Sequence, residues 1–147
     1  MREDYNMKIR KQSGCVAYRK NNKEIEVLLV QKVEGEGWGF PKGGIQKHMM
    51  ERDSAVKETF EEAGVQGKVG KKMGEYIYRK DKKEQIVYLY PMLVTKEFDV
   101  WPEMKLRKRK WVSIDDAKLL TNKKLHRFYE NLEQKSFFRR IFDKIFK

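Results

Sequence analysis

The chain reads as a single-domain α/β protein built on a mixed sheet, and three observations lead there. Strand-like and helix-like patterns interleave along the sequence instead of segregating. At 147 residues the chain is long enough for one domain, which would bury roughly two-thirds of its unfolded surface. A glycine loop, Phe40-Pro41-Lys42-Gly43-Gly44, opens into a helix that carries Glu58, Glu61 and Glu62 and stops at Gly64.

Residues 13–19 and 24–31 are rich in β-branched and apolar side chains and read as strands, with 20–23 turning between them. Residues 38–40 make a short strand leading into the glycine loop. The helix that follows is expected over 51–63, with Gly64 as its left-handed cap. A strand over 69–79, a hairpin through 80–83 and a second long strand over 84–95 come next. Pro91 inside that strand, having no amide to donate, implies a sheet edge or a bulge. Residues 107–112 read as another strand, Ser113 as the cap of a helix starting at Ile114, and 125–131 as a further helical stretch.

In the last segment Phe137, Phe138, Ile141, Phe142, Ile145 and Phe146 recur at i, i+1, i+4, i+5, i+8 and i+9. That spacing makes an amphipathic helix, with Arg139, Arg140, Lys144 and Lys147 on the other face. The organisation expected is a domain over 1–133 and a basic amphipathic helix over 134–147. The helix either docks on the domain or a partner copy, or lies as a peripheral anchor on anionic lipid.

Charged residues are 38% of the chain and the net charge is +12, so anionic ligands are favoured: polyphosphates, nucleic acid or an acidic membrane face. The one cysteine, Cys15, excludes an internal disulfide and is compatible with a reducing cytoplasm. The start, Met1-Arg2-Glu3-Asp4-Tyr5, has no apolar leader, and no apolar run reaches the length of a membrane span. A cytoplasmic protein is the expectation.

The acidic helix carries the chemistry. Positions i, i+3 and i+4 share a helical face, so Glu58, Glu61 and Glu62 crowd like charges together. A hard divalent cation, Mg²⁺ or Mn²⁺, reverses the sign of that repulsion because it takes oxygen ligands. The segment resembles the Nudix box, G-x5-E-x7-R-E-U-x-E-E-x-G-U with U a bulky apolar residue. Gly43, Glu58, Glu61, Glu62, Gly64 and Val65 fall in register. Met49 stands in place of the first glutamate, Lys57 in place of the arginine, and Thr59 in place of an aliphatic residue. The family's glutamate–arginine pair has thus changed at both ends, and Lys57 is free to turn to Glu61 or to Glu51.

Further segments are similar to the diphosphoinositol polyphosphate and diadenosine polyphosphate hydrolase branch of that family. They include Lys11-Gln12-Ser13-Gly14, Trp38-Gly39-Phe40, Met73-Gly74-Glu75-Tyr76, Trp101-Pro102-Glu103 and Arg107-Lys108-Arg109-Lys110-Trp111. The resemblance implies an α/β/α sandwich with a loop–helix–loop metal site. It implies Glu58, Glu62 and the backbone carbonyl of Lys42 as metal ligands, and Glu61 as the base. Glu84 is a second candidate base, since some members draw theirs from outside the box. Arg10, Lys11, Lys82, Lys83 and Lys108 line up with side chains that grip phosphate; Gln12 and Asp81 stand where relatives often have cations. His48 and His126 have no ligand-spaced partner. Of the tryptophans, Trp111 is expected to be buried in its strand, and Trp38 is the one placed to stack on a base.

The function implied is Mg²⁺- or Mn²⁺-dependent hydrolysis of a phosphoanhydride in a polyphosphorylated small molecule, diadenosine polyphosphates first. Two alternatives stand beside it. One is an RNA 5′-end pyrophosphohydrolase or decapping enzyme, which the net charge favours. The other is a binding module without turnover, motivated by Met49 and Lys57.

Overall fold

The computed structural model describes residues 9–33 and 37–146. One mixed sheet of eight strands organises it. At its centre β1 (Arg10–Asn21) and β7 (Lys83–Glu97) run parallel, in register from Arg10 opposite Gln85 to Tyr18 opposite Leu93. Buried strands of this kind need apolar side chains on both faces, and β1 is buried without interruption from Gln12 to Ala17.

The other edge of β1 is shared. Its C-terminal end pairs with β2 (Glu24–Gln31), through a tight turn in which Asn22 and Lys23 take positive φ. Its N-terminal end pairs with β4 (Lys42–Gly44), while β3 (Trp38–Gly39) pairs with the far end of β2. The β1–β2 hairpin therefore opens like a V, and residues 38–44 fill the gap. This places the glycine loop inside the sheet. At Gly14 an added Cβ would run into the Pro41 carbonyl and Lys42, so only glycine allows the close approach.

Alternation along the strands sorts the core into two layers. Val16, Val27, Leu29, Val87 and Leu89 face α2 (Ile114–Leu120) and α3 (His126–Phe146), packing on Phe128, Tyr129 and Leu132. Cys15, Ala17, Leu28, Val30, Tyr90 and Met92 face α1 (Glu51–Ala63). The result is the expected α/β/α sandwich. The expected helix over 51–63 and its left-handed Gly64 cap are both present, as is the Ser113 cap, whose hydroxyl accepts from the Asp116 amide at 3.1 Å.

Three expectations need correction. The strand expected over 69–79 is two strands, β5 (Val65–Val69) and β6 (Gly74–Lys80), both antiparallel to β7. The chain passes from one to the other along the same edge of β7 through residues 70–73, and Gly74, the first residue of β6, takes a φ of 141°. Pro91 lies in the central strand, not at an edge. Its carbonyl accepts from the Gly70 amide at 2.9 Å, in the seam between β5 and β6. A residue's N–H and C=O point the same way in a strand, so the amide that proline lacks would face that seam, where no ladder bond is lost. Trp111, on β8 (Arg109–Ser113), is half-buried at the rim; Arg19 lies 4.2 Å over its ring and its indole N–H reaches Glu97.

One continuous helix, α3, runs across residue 133, so residues 134–146 extend the helix that begins at His126. No helix among the described residues is long and apolar enough to cross a membrane.

Phe128 is 2% exposed and meets Phe40 and Tyr76 edge-on. Phe128→Ala leaves a cavity under the sheet and is expected to cost about 3–5 kcal/mol, read as a lowered urea midpoint at unchanged slope.

Candidate active site

The site forms where α1 passes the glycine loop. Glu62, on the inner face of the last turn, is 7% exposed. Its Oε1 accepts the Lys42 amide at 3.2 Å and lies 3.5 Å from Nη1 of Arg107. Burial pushes the Glu62 carboxyl up to about 7; Arg107, the Lys42 amide and Lys42 itself oppose that shift, and Glu103 adds to it. Glu58, one turn earlier, packs against Gly43 so closely that a Cβ there would overlap its carboxylate. Its carboxyl is also raised, first by burial and then by the charges of Glu61 and Glu103, with Lys57 and Arg10 pulling the other way.

Lys42 presents its backbone to the same side. Cys15 donates to the Pro41 carbonyl at 3.3 Å and Ile45 to the Lys11 carbonyl at 3.1 Å, so Lys42 occupies a non-hydrogen-bonded position opposite Gly14. Its N–H and C=O therefore turn away from β1, toward Glu62. Its ammonium goes elsewhere, 3.1 Å from the Tyr78 hydroxyl, which in turn donates to Oε1 of Gln12 at 2.8 Å.

Glu61 is held by Lys57 at 2.6 Å, an i, i+4 pair that raises the Lys57 pKa. Glu51, the other partner open to Lys57, is taken by Lys72 at 2.7 Å and by the Tyr90 hydroxyl at 2.7 Å. Among the described residues, no three histidine, cysteine, aspartate or glutamate side chains are gathered closely enough to hold a metal. Glu61 faces Lys57 and Glu62 faces Arg107, so two cations already compensate the box. The donors are still all oxygens, as Mg²⁺ and Mn²⁺ require. Glu58 and Glu62 are desolvated carboxylates left with unbalanced negative charge, which a divalent ion offsets. The donor set fits such an ion once the side chains re-aim.

The phosphate-gripping candidates separate. Arg10 and Lys11 line an open cleft of about 640 Å³ together with Gly44, Ile45, Gln46 and Glu58. Lys82 and Lys83 are at the β6–β7 hairpin tip, where Asp81 and Lys82 take positive φ. Lys83 precedes by two residues Gln85, the register partner of Arg10. Lys108 is exposed just before β8, its carbonyl accepting from the Gln31 amide at 2.9 Å. Glu84 pairs in register with Arg79 on that same hairpin. His48 is an exposed turn residue with φ 70°, and His126 sits 3.0 Å from the Lys118 carbonyl. Lys110 lies 4.6 Å over the Trp38 ring, on a face a base would need.

Sequence reasoning missed the loop between β7 and β8. Glu103 accepts from Nε and Nη2 of Arg107 at 3.2 and 3.0 Å, forming a bridge from Glu103 through Arg107 to Glu62. The same loop closes the end of α1: the Glu103 amide bonds the Glu61 carbonyl, the Trp101 indole the Glu62 carbonyl, and Arg109 the Ala63 carbonyl, at 3.0, 3.1 and 2.9 Å. The motif around Trp101 and Arg107–Trp111 was visible as a resemblance, yet no spacing tied it to the helix.

A family model described as NUDIX domain matches residues 8–132. Nudix hydrolase 4 of Arabidopsis thaliana is 41% identical over 116 residues, which cover 71% of this chain and 56% of that protein. Diphosphoinositol polyphosphate phosphohydrolase 3-beta of Bos taurus is 35% identical over 111 residues, 74% of this chain and 66% of that protein. The chain thus spans a little over half the length of the Arabidopsis relative. Among solved structures, a C. elegans Ap4A hydrolase binary complex shares the fold with a TM-score of 0.70 at 23% identity, over 85% of this chain and 96% of that one.

The buried Glu62 carboxylate predicts a pH signature in chelator-treated protein. Its folded pKa is raised from 4.5 to about 7, so the folded state holds the extra proton between those values. Stability should fall as pH rises through that window, and the cost should be complete above it. Glu62→Gln, neutral at every pH, is expected to be about 3 kcal/mol more stable than the parent at pH 8 and equal to it near pH 4. Urea titrations at the two pH values check this; a variant less stable at pH 8 would show that the Arg107 contact outweighs burial.

Proposed function

The chain belongs to the Nudix family, and on that premise we propose that it is a Mg²⁺- or Mn²⁺-dependent hydrolase of phosphoanhydride bonds in nucleoside or inositol polyphosphates. The observation that carries this reading is the pair of desolvated carboxylates, Glu58 and Glu62, set against the Lys42–Gly43 backbone. Glu58 also lines the cleft that holds Arg10 and Lys11, so metal ligand and phosphate grip share one mouth.

Glu58, Glu62 and the Lys42 carbonyl would hold the ion. Bound there, a divalent cation supplies Lewis-acid polarisation of phosphate oxygens and lowers the pKa of a water. The chain's own residues do the rest by position and charge. Arg107, now 3.5 Å from Glu62, would yield that carboxylate to such an ion while its two bonds to Glu103 keep it in place. Lys57 engages Oε1 of Glu61, leaving Oε2 to take the proton of the attacking water. Arg10 and Lys11 offset the charge of the polyphosphate in the cleft, with Lys82, Lys83 and Lys108 as outer cations.

Within the class, diadenosine polyphosphates are the first choice. Gln12 is 5% exposed and bonded to Tyr78, so the position where relatives often have a cation is a neutral core contact here. Fewer cations suit a linear polyphosphate better than a densely phosphorylated inositol. The net charge of +12 supports a second substrate reading, 5′-triphosphorylated or capped RNA, marked by steep salt dependence. The cytoplasm is the compartment we assign, a reducing one in keeping with the free, buried Cys15.

Products resolved by chromatography from a panel of diadenosine polyphosphates, inositol pyrophosphates, nucleoside triphosphates, ADP-ribose and 5′-triphosphorylated RNA test the proposal. With Mg²⁺ or Mn²⁺, turnover is expected on the diadenosine polyphosphates, and Glu58→Gln and Glu62→Gln each reduce it by at least about a hundredfold while remaining folded. No turnover with either metal would make the chain a binding module.

A further inference from the structure

The helix α3 carries two apolar faces that point in different directions. Its first half packs on the domain through Phe128, Tyr129, Leu132 and Ser136, exposed by 2, 0, 3 and 9%. At 3.6 residues per turn, Ile141, Phe142 and Ile145 centre roughly 150° around the helix from that face. They are exposed by 40, 57 and 66%. The next positions on the core-facing side after Ser136 are charged, Arg139 and Asp143. The apolar stripe of the last turns, on the other side of the helix, is therefore not the continuation of the core.

The charges say what covers it. Arg139 and Lys144, both exposed, sit roughly 60° outside the two borders of the stripe. Residues 134–147 hold five cations, Lys135, Arg139, Arg140, Lys144 and Lys147, against the single acid Asp143. A basic border on each side of an apolar stripe matches a bilayer surface: apolar side chains enter the acyl boundary while cations meet anionic headgroups. A second copy of a chain with a charge of +12 would bring like charges together instead.

We propose that the C-terminal turns of α3 bind peripherally to an anionic lipid bilayer, lying in its surface with Ile141, Phe142 and Ile145 inserted. The helix lies in the interface and does not cross it, since its charged face stays in water.

Full-length protein is sedimented with vesicles of phosphatidylcholine alone and of phosphatidylcholine with phosphatidylglycerol, at low and high salt. Binding is expected only to the anionic vesicles, weakened by salt. Ile141→Asp/Ile145→Asp should lower it by at least about tenfold while keeping the parent's thermal midpoint. Arg139→Glu/Lys144→Glu tests the borders separately and should also lose binding. Absence of binding to anionic vesicles overturns the proposal, as does undiminished binding by the Ile141→Asp/Ile145→Asp variant. A parent dimer in light scattering that this variant converts to monomer would assign the stripe to self-association and overturn it equally.

Discussion

A carboxylate removed from water at the end of a helix is the constraint around which this structure is arranged. Glu62 is 7% exposed, and an unpaired charge at that depth would take up a proton or unfold its surroundings. The chain answers with weak compensation: one long contact to Arg107 at 3.5 Å and one amide bond at 3.2 Å. The remaining penalty shows as a carboxyl raised to about 7. A tightly paired glutamate would be comfortable and inert. An under-compensated one keeps an affinity for any stronger cation, and strain of this sort persists only where the surrounding structure over-determines it.

That surrounding structure is the loop from Phe98 to Arg109. Helix C-termini leave carbonyls without partners, and here three successive ones are taken by an amide, an indole and a guanidinium from the loop. Arg109 also reaches the Phe98 carbonyl at 2.7 Å and stacks 3.7 Å over the Trp101 ring, so the clamp is rigid in two directions. Gly64 must be glycine twice over, because its φ is 66° and a Cβ would meet Trp101 and Arg109. The clamp holds the backbone of the acidic turn in place, and side-chain re-aiming at Glu61 and Glu62 can then occur without the helix moving.

Much of the fold was legible because it rests on local rules. The α1 boundaries follow from the spacing to Gly64, the β1–β2 pair from two β-branched, apolar runs joined by a short turn, and the α2 start from a serine whose hydroxyl finds the Asp116 amide. What was misread depends on distant partners. Pro91 reads as an edge signal until its neighbours are known; it sits at the one seam of β7 where two partner strands meet. Trp111 reads as core from its strand, yet the sheet ends beside it and Arg19 covers its ring instead. In the site, the carboxylates were legible from helical spacing alone. Arg107 and Glu103 were not, since 45 positions separate Arg107 from Glu62 and 42 separate Glu103 from Glu61, and contacts at such separations leave no period in a sequence.

The exchange of the family's glutamate–arginine pair for Met49 and Lys57 can be followed through the charges. Lys57 turns to Glu61, while Glu51 finds Lys72 and Tyr90, so the charges that the exchange touches, Lys57, Glu61 and Glu51, each have a partner. What changes is the quality of the bracing. A guanidinium fixes a carboxylate through two parallel bonds; an ammonium on a flexible stem fixes it through one. The rigidity lost at Lys57 is supplied from the other end of the helix, where Arg109 and Trp101 hold the backbone itself. Bracing by backbone constrains where the acidic turn lies but not where its carboxylates point. Such a site is well placed and loosely aimed, and an ion of the kind proposed above would do part of the aiming. Mg²⁺ demands near-ideal octahedral geometry, so on the metal-dependent reading proposed above the altered pair would bear on how readily that ion is held and not on the identity of the chemistry.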